Sequence, residues 1–140
     1  MEIESIGIVG AGQMGNGIAH VCALAGYDVI MSDVSEDALK AAVALIDKNL
    51  ERQVSREKIA QAEKDTAIGR ITTTMHLPDI GPTDLIIEAA TEREMVKQAI
   101  FEDLLPHLRA DTILTSNTSS ILFLLVFLLQ CFLCQPQHYA

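Results

Sequence analysis

The segment Gly10-Ala11-Gly12-Gln13-Met14-Gly15 constrains this chain more than any other, because its three glycines stand directly behind a short apolar run, Ile6-Gly7-Ile8-Val9. An apolar run closed by a glycine cluster reads as a buried parallel strand. The residues after it are helical in pattern. Between 14 and 25, Ile18, Val21, Cys22 and Ala25 recur at helical spacing, and Gly26 is placed to end the helix in the left-handed conformation. Strand, glycine turn and helix thus follow one another within the first 26 residues.

The pattern then repeats. Val29-Ile30-Met31 forms a second strand that stops at Asp33. Ser35 is placed to cap a helix whose first turn carries Glu36 and Asp37, charges that the positive end of the helix dipole favours. Its apolar face is Leu39, Val43, Ile46 and Leu50, and residues 56–63 read as a second, more polar helical stretch. Ile71-Thr72-Thr73 is a short third strand, and residues 84–88 form a fourth after a loop marked by Pro78 and Pro82. Residues 94–105 are helical, with Val96, Ile100, Phe101, Leu104 and Leu105 on one face, and residues 112–115 make a fifth strand. Strands alternating with helices at this spacing predict an α/β fold, a Rossmann-type doubly wound parallel sheet.

In that context the glycines acquire chemical meaning. Gly10 permits a tight turn, Gly12 lets backbone approach a pyrophosphate, and Gly15 lets the helix pack close to the strand. The helix N-terminus, at Gln13 and Met14, offers unpaired N–H groups and a positive dipole end to phosphate oxygens. Asp33 lies 18 residues beyond Gly15 at the end of the second strand. A carboxylate there accepts hydrogen bonds from the adenosine ribose and repels a 2′-phosphate, so the expected cofactor is NAD rather than NADP.

Composition limits the partners. The chain has 10 Lys and Arg against 19 Asp and Glu, a formal charge of −9, which argues against nucleic acid or an anionic membrane surface. Its N-terminus lacks the basic-then-apolar layout of a signal peptide, and a cytoplasmic location is expected. Cys131 and Cys134 have no second Cys or His pair beside them, so no metal site is expected. Every charged residue lies at or before Asp111, whereas residues 121–134 are apolar apart from Gln130 and hold three of the four Phe. The expected division is therefore a dinucleotide-binding domain over 1–120 and an apolar tail over 121–140, foreign to the fold and prone to association.

Three stretches narrow the reading further. The glycine loop extended through Asn16-Gly17-Ile18-Ala19, the segment Ile87-Glu88-Ala89-Ala90-Thr91-Glu92 with Lys97, and Thr115-Ser116-Asn117-Thr118-Ser119-Ser120 occur in this order. Together they resemble the L-3-hydroxyacyl-CoA dehydrogenase family, especially its bacterial 3-hydroxybutyryl-CoA members. The resemblance implies NAD contacts from Glu92 and Lys97 and a substrate-hydroxyl contact from Ser119. It also implies coenzyme A contacts from Asn49 and Arg56, a 3-hydroxyacyl-CoA substrate, and a homodimer for full-length members.

The family transfers a hydride from substrate C3 to the nicotinamide while a histidine, held by a glutamate, removes the hydroxyl proton. Both lie beyond the Ser-Asn-Thr-Ser-Ser stretch, and the tail offers no counterpart. None of His20, His76, His107 and His138 stands in a matching sequence context. The expectation is a truncated N-terminal piece, inactive by itself, with a nucleotide-binding module without turnover as the alternative.

Overall fold

A computed structural model describes residues 2–117. The expectations for Ser119 and for residues 121–140 lie outside the described residues. Five strands, β1 (Ser5–Val9), β2 (Asp28–Ser32), β3 (Ile71–Thr74), β4 (Leu85–Glu88) and β5 (Ile113–Ser116), form one sheet. Every pairing is parallel, in the order β3-β2-β1-β4-β5. The helices are α1 (Gln13–Leu24), α2 (Glu36–Ser55), α3 (Gln61–Gly69) and α4 (Glu94–Leu104). The order reverses between β1 and β4. This is the switch point outside which open α/β sheets hold their ligands.

Alternation along the strands divides the core between the two faces of the sheet. Ile6, Ile8, Val29 and Met31 pack with Ala19 and Ala23 of α1 and with Leu39, Ile46 and Leu50 of α2. Val9, Ile80, Ile86 and Leu104 form a second cluster on the α4 side. Ser35 caps α2 as expected, its Oγ accepting the Ala38 N–H at 3.2 Å.

Three helical readings need correction. The buried face of α1 is Gly15, Asn16, Ala19 and Ala23, whereas Val21 is 65% exposed and Ala25 is also exposed. Small side chains face the sheet here because Gly15 brings the helix onto the Gly10 carbonyl. The larger Ile18 and Cys22 are left to pack at the flank of the core. On α4 the buried stripe is Lys97, Phe101 and Leu104, with Val96 and Leu105 exposed. Residues 56–60, expected to be helical, form a turn before α3. Glu57 there has φ 56°, the Glu57 N–H donates to Val54 O at 2.9 Å, and the Lys58 N–H donates to Gln53 O at 2.9 Å. That is a Schellman end with glutamate where glycine is usual.

The amino edge of the sheet is closed by the protein's own groups. The buried Asp84 Oδ2 accepts the Glu4 and Ser5 N–H groups at 2.9 and 3.0 Å and the Ser5 hydroxyl at 3.0 Å. Its Oδ1 accepts Arg109 Nη2 at 2.9 Å. The two backbone N–H bonds, with help from the Ser5 hydroxyl and Arg109, lower the Asp84 pKa to about 2.

Candidate dinucleotide site

The carboxyl edge is where the expected site residues converge. Backbone pairing continues past the strands: the Gly10 N–H donates to Ser32 O at 2.7 Å, Ala89 N–H to Val9 O at 2.8 Å, and Asn117 N–H to Glu88 O at 2.8 Å. The loops after β1, β2, β4 and β5 therefore leave the sheet from one plane, side by side. Three expected glycines and Asp33 are brought together by the first two of these loops.

The glycines divide into two kinds. Gly10 has φ 104°, and a Cβ there would stand 2.7 Å from the Ala90 Cα. A Cβ on Gly15 would strike the Gly10 carbonyl oxygen. Both are demanded by the fold. Gly12 is different: its φ of −73° suits any residue, and no atom lies within 4 Å of an added Cβ. No steric contact within the protein demands glycine there, and its absence of a side chain leaves the backbone open to close approach.

Gly12 is also the N-cap of α1, and it supplies no side-chain cap; the first turn holds no acid. The N–H groups of this turn are left for an anion. Gln13 and Met14 are exposed beside it, Met14 at 56%. Asp33 is half-buried between the loop and α2: Oδ2 accepts the Ala11 N–H and Oδ1 the Ser35 N–H, each at 2.9 Å. It therefore shapes the glycine loop and ties it to the start of α2. An open glycine, an uncapped helix and a carboxylate form a donor and acceptor set that fits a dinucleotide.

The second half of the edge is built around a residue that sequence reasoning passed over. Glu88 ends β4 fully buried. Its Oε2 accepts Lys97 Nζ at 3.0 Å and the Ser116 hydroxyl at 2.7 Å, and its Oε1 accepts the Ala90 N–H at 2.9 Å. Ser116 Oγ also lies 3.4 Å from Lys97 Nζ. Lys97 thus sits in a buried ion pair that ties α4 to the ends of β4 and β5. Glu92 is exposed on the loop between β4 and α4. One signal for Glu88 was available, since it closes an otherwise apolar strand.

Asn49 and Arg56 come together elsewhere. With His20, Arg52, Gln53 and Lys58 they line a pocket of about 290 Å³ between α1 and α2. His20 is eight residues beyond Gly12, or about 12 Å along the helix. Arg52, Arg56 and Lys58 have no acidic partner among the described residues; the acids of α2 nearest in sequence, Asp47 and Glu51, hold Lys64 at 3.2 and 2.6 Å. His76 is exposed in the loop after β3, and His107 packs on Gly81.

Comparison with known proteins agrees with this geometry. Residues 5–125 match the family described as 3-hydroxyacyl-CoA dehydrogenase, NAD binding domain. The 3-hydroxybutyryl-CoA dehydrogenase of Bradyrhizobium diazoefficiens is 50% identical over 119 residues, covering 85% of this chain and 41% of the relative. The 3-hydroxyadipyl-CoA dehydrogenase of Escherichia coli is 36% identical over 121 residues, covering 86% of this chain and 26% of the relative. The crystal structure of (S)-3-hydroxybutyryl-CoA dehydrogenase from Ralstonia eutropha superposes with a TM-score of 0.82 at 42% identity, covering 86% of this chain and 42% of that one. This chain spans about two-fifths of the length of the 3-hydroxybutyryl-CoA relatives it matches. It belongs to the 3-hydroxyacyl-CoA dehydrogenase family, whose NAD-binding domain it carries.

Proposed function

We propose that this chain holds NAD and the coenzyme A end of a 3-hydroxyacyl-CoA for oxidation to the 3-ketoacyl-CoA. The observation that carries the reading is the open Gly12 at the uncapped start of α1. NAD, when bound, supplies the hydride acceptor. Gly12, Gln13 and Met14 seat its pyrophosphate by backbone N–H donation, on a turn that Gly10 and Gly15 shape, and Asp33 binds the adenosine ribose. Glu92 and Lys97 extend the same binding edge toward the nicotinamide, with Lys97 oriented by Glu88. Ser119 contacts the substrate hydroxyl on this reading.

The substrate half of the proposal rests on the pocket containing Asn49 and Arg56. Three cations without ion-pair partners among the described residues, in a chain of charge −9, suit the phosphates of coenzyme A. Proton abstraction by a histidine held by a glutamate is outside the residues assigned roles here. The chain alone is therefore expected to bind without turnover.

Titration of the full chain with NAD, NADP and coenzyme A tests both halves. NAD should bind at least about fivefold more tightly than NADP, about 1 kcal/mol, because the Asp33 carboxylate repels a 2′-phosphate. Equal affinities for the two dinucleotides would remove the role given to Asp33. Absence of coenzyme A binding would remove the substrate reading and leave a dinucleotide module.

A further inference from the structure

The cationic pocket between α1 and α2 contains one side chain whose charge changes near neutrality. His20 projects from α1 into the same lining as Arg52 and Arg56 of α2 and Lys58 of the following turn. Its Nε2 lies 3.4 Å from Gln53 Nε2, so the neutral ring accepts a hydrogen bond from the Gln53 amide. Partial burial lowers the His20 pKa, leaving the ring neutral at pH 7 when the pocket is empty.

The charged surroundings favour a change of state once an anion enters. No other residue of α1 is charged. On α2, Asp47 and Glu51 are engaged by Lys64 of α3. On α3, Glu63 accepts the Ala60 N–H and Asp65 accepts from Gln61. Glu57 is exposed in the turn, between Arg56 and Lys58. None of these carboxylates lines the pocket beside His20. The counter-charge for a protonated ring therefore has to come from the ligand. A phosphate dianion would provide it, and the ring N–H would become a further donor to that phosphate. The Gln53 amide can turn its carbonyl oxygen to the protonated ring, so either state keeps a partner.

We infer that His20 is a proton-linked recognition residue of this pocket, taking up a proton when a phosphate of coenzyme A binds and thereby strengthening the hold on it as pH falls. The inference rests on the coenzyme A reading proposed above. It adds a residue and a pH response to it.

The test is calorimetric titration of the full chain and its His20→Gln variant with coenzyme A at about pH 5.5 and about pH 8. Comparing the two proteins at each pH cancels the ligand's own phosphate ionisation, which lies near pH 6. At the higher pH their dissociation constants should agree within about twofold. At the lower pH the unaltered chain should bind at least about fivefold more tightly. As a second measurement, saturation with coenzyme A should raise the NMR titration midpoint of the His20 ring, since linkage is reciprocal. A constant ratio between the two proteins, or an unmoved midpoint, overturns the inference while leaving the coenzyme A reading intact. No coenzyme A binding at either pH overturns both.

Discussion

Two helices begin side by side at the carboxyl edge of the sheet, and they treat their exposed N–H groups in opposite ways. At the start of α2, Ser35 caps the Ala38 N–H, and Glu36 and Asp37 answer the helix dipole. At the start of α1 there is a glycine, no side-chain cap and no acid. Two buried carboxylates at the sheet's edges are also answered from within. Asp84 closes the amino edge, and Glu88 is buried against Lys97, Ser116 and a backbone N–H. The lesson of the contrast is that the proposed anion site is marked by what the chain withholds there. A fold that caps its neighbouring helix leaves α1 uncapped, at the strand-order switch point, for a ligand.

The contrast can be broken most severely at Gly15. Replacement by Val drives a side chain into the Gly10 carbonyl, a contact that only backbone movement relieves. Urea denaturation should show a loss of about 3 kcal/mol or more. A variant as stable as the parent would mean that the helix does not approach the strand as described.

Asp84 tests the closed amino edge through pH. Its folded pKa of about 2 lies below the ordinary 3.8, so ionised Asp84 favours the folded state above about pH 4. That contribution is lost as pH falls from about 4 toward 2. Acid titration of the parent should accordingly show stability dropping across this window, and the Asp84→Asn variant should show a shallower drop. Superimposable slopes would contradict the role given to the carboxylate.

The smallest effect is expected at the capped helix. Ser35→Ala removes the acceptor for the Ala38 N–H and should cost about 1 kcal/mol. NAD affinity should stay within about twofold of the parent, because this cap serves α2 alone. A large loss of affinity would show that the two N-termini are not independent.

What could be read in the sequence was local and had a fixed consequence. The glycine loop, the Asp33 position, the Ser35 cap and the left-handed Gly26 each follow from a few adjacent residues, and Gly26 does have φ 104°. The turn after α2 has the same hydrogen-bond pattern as the end of α1, but glutamate at 57 replaces the glycine signal, so the stretch read as helix. The α1 face was misread because small residues, which counting apolar side chains undervalues, are the ones that pack on the sheet. Lys97 shares a buried stripe with Phe101 and Leu104, a spacing visible in the sequence. Its partner Glu88 and the Asp84–Arg109 pair depend on residues brought together by strand order, which leaves no periodic trace.

The central claim, that α1 is left open for a dinucleotide, meets its most direct test at Gly12. The Gly12→Ala variant places a methyl group where no protein atom lies within 4 Å, at a backbone angle any residue adopts. Its unfolding free energy from urea denaturation should match the parent within about 0.5 kcal/mol. NADH titration followed by fluorescence should show affinity reduced about tenfold or more, since the methyl group stands between the backbone and the pyrophosphate. Unchanged NADH affinity in a variant of unchanged stability would contradict the account.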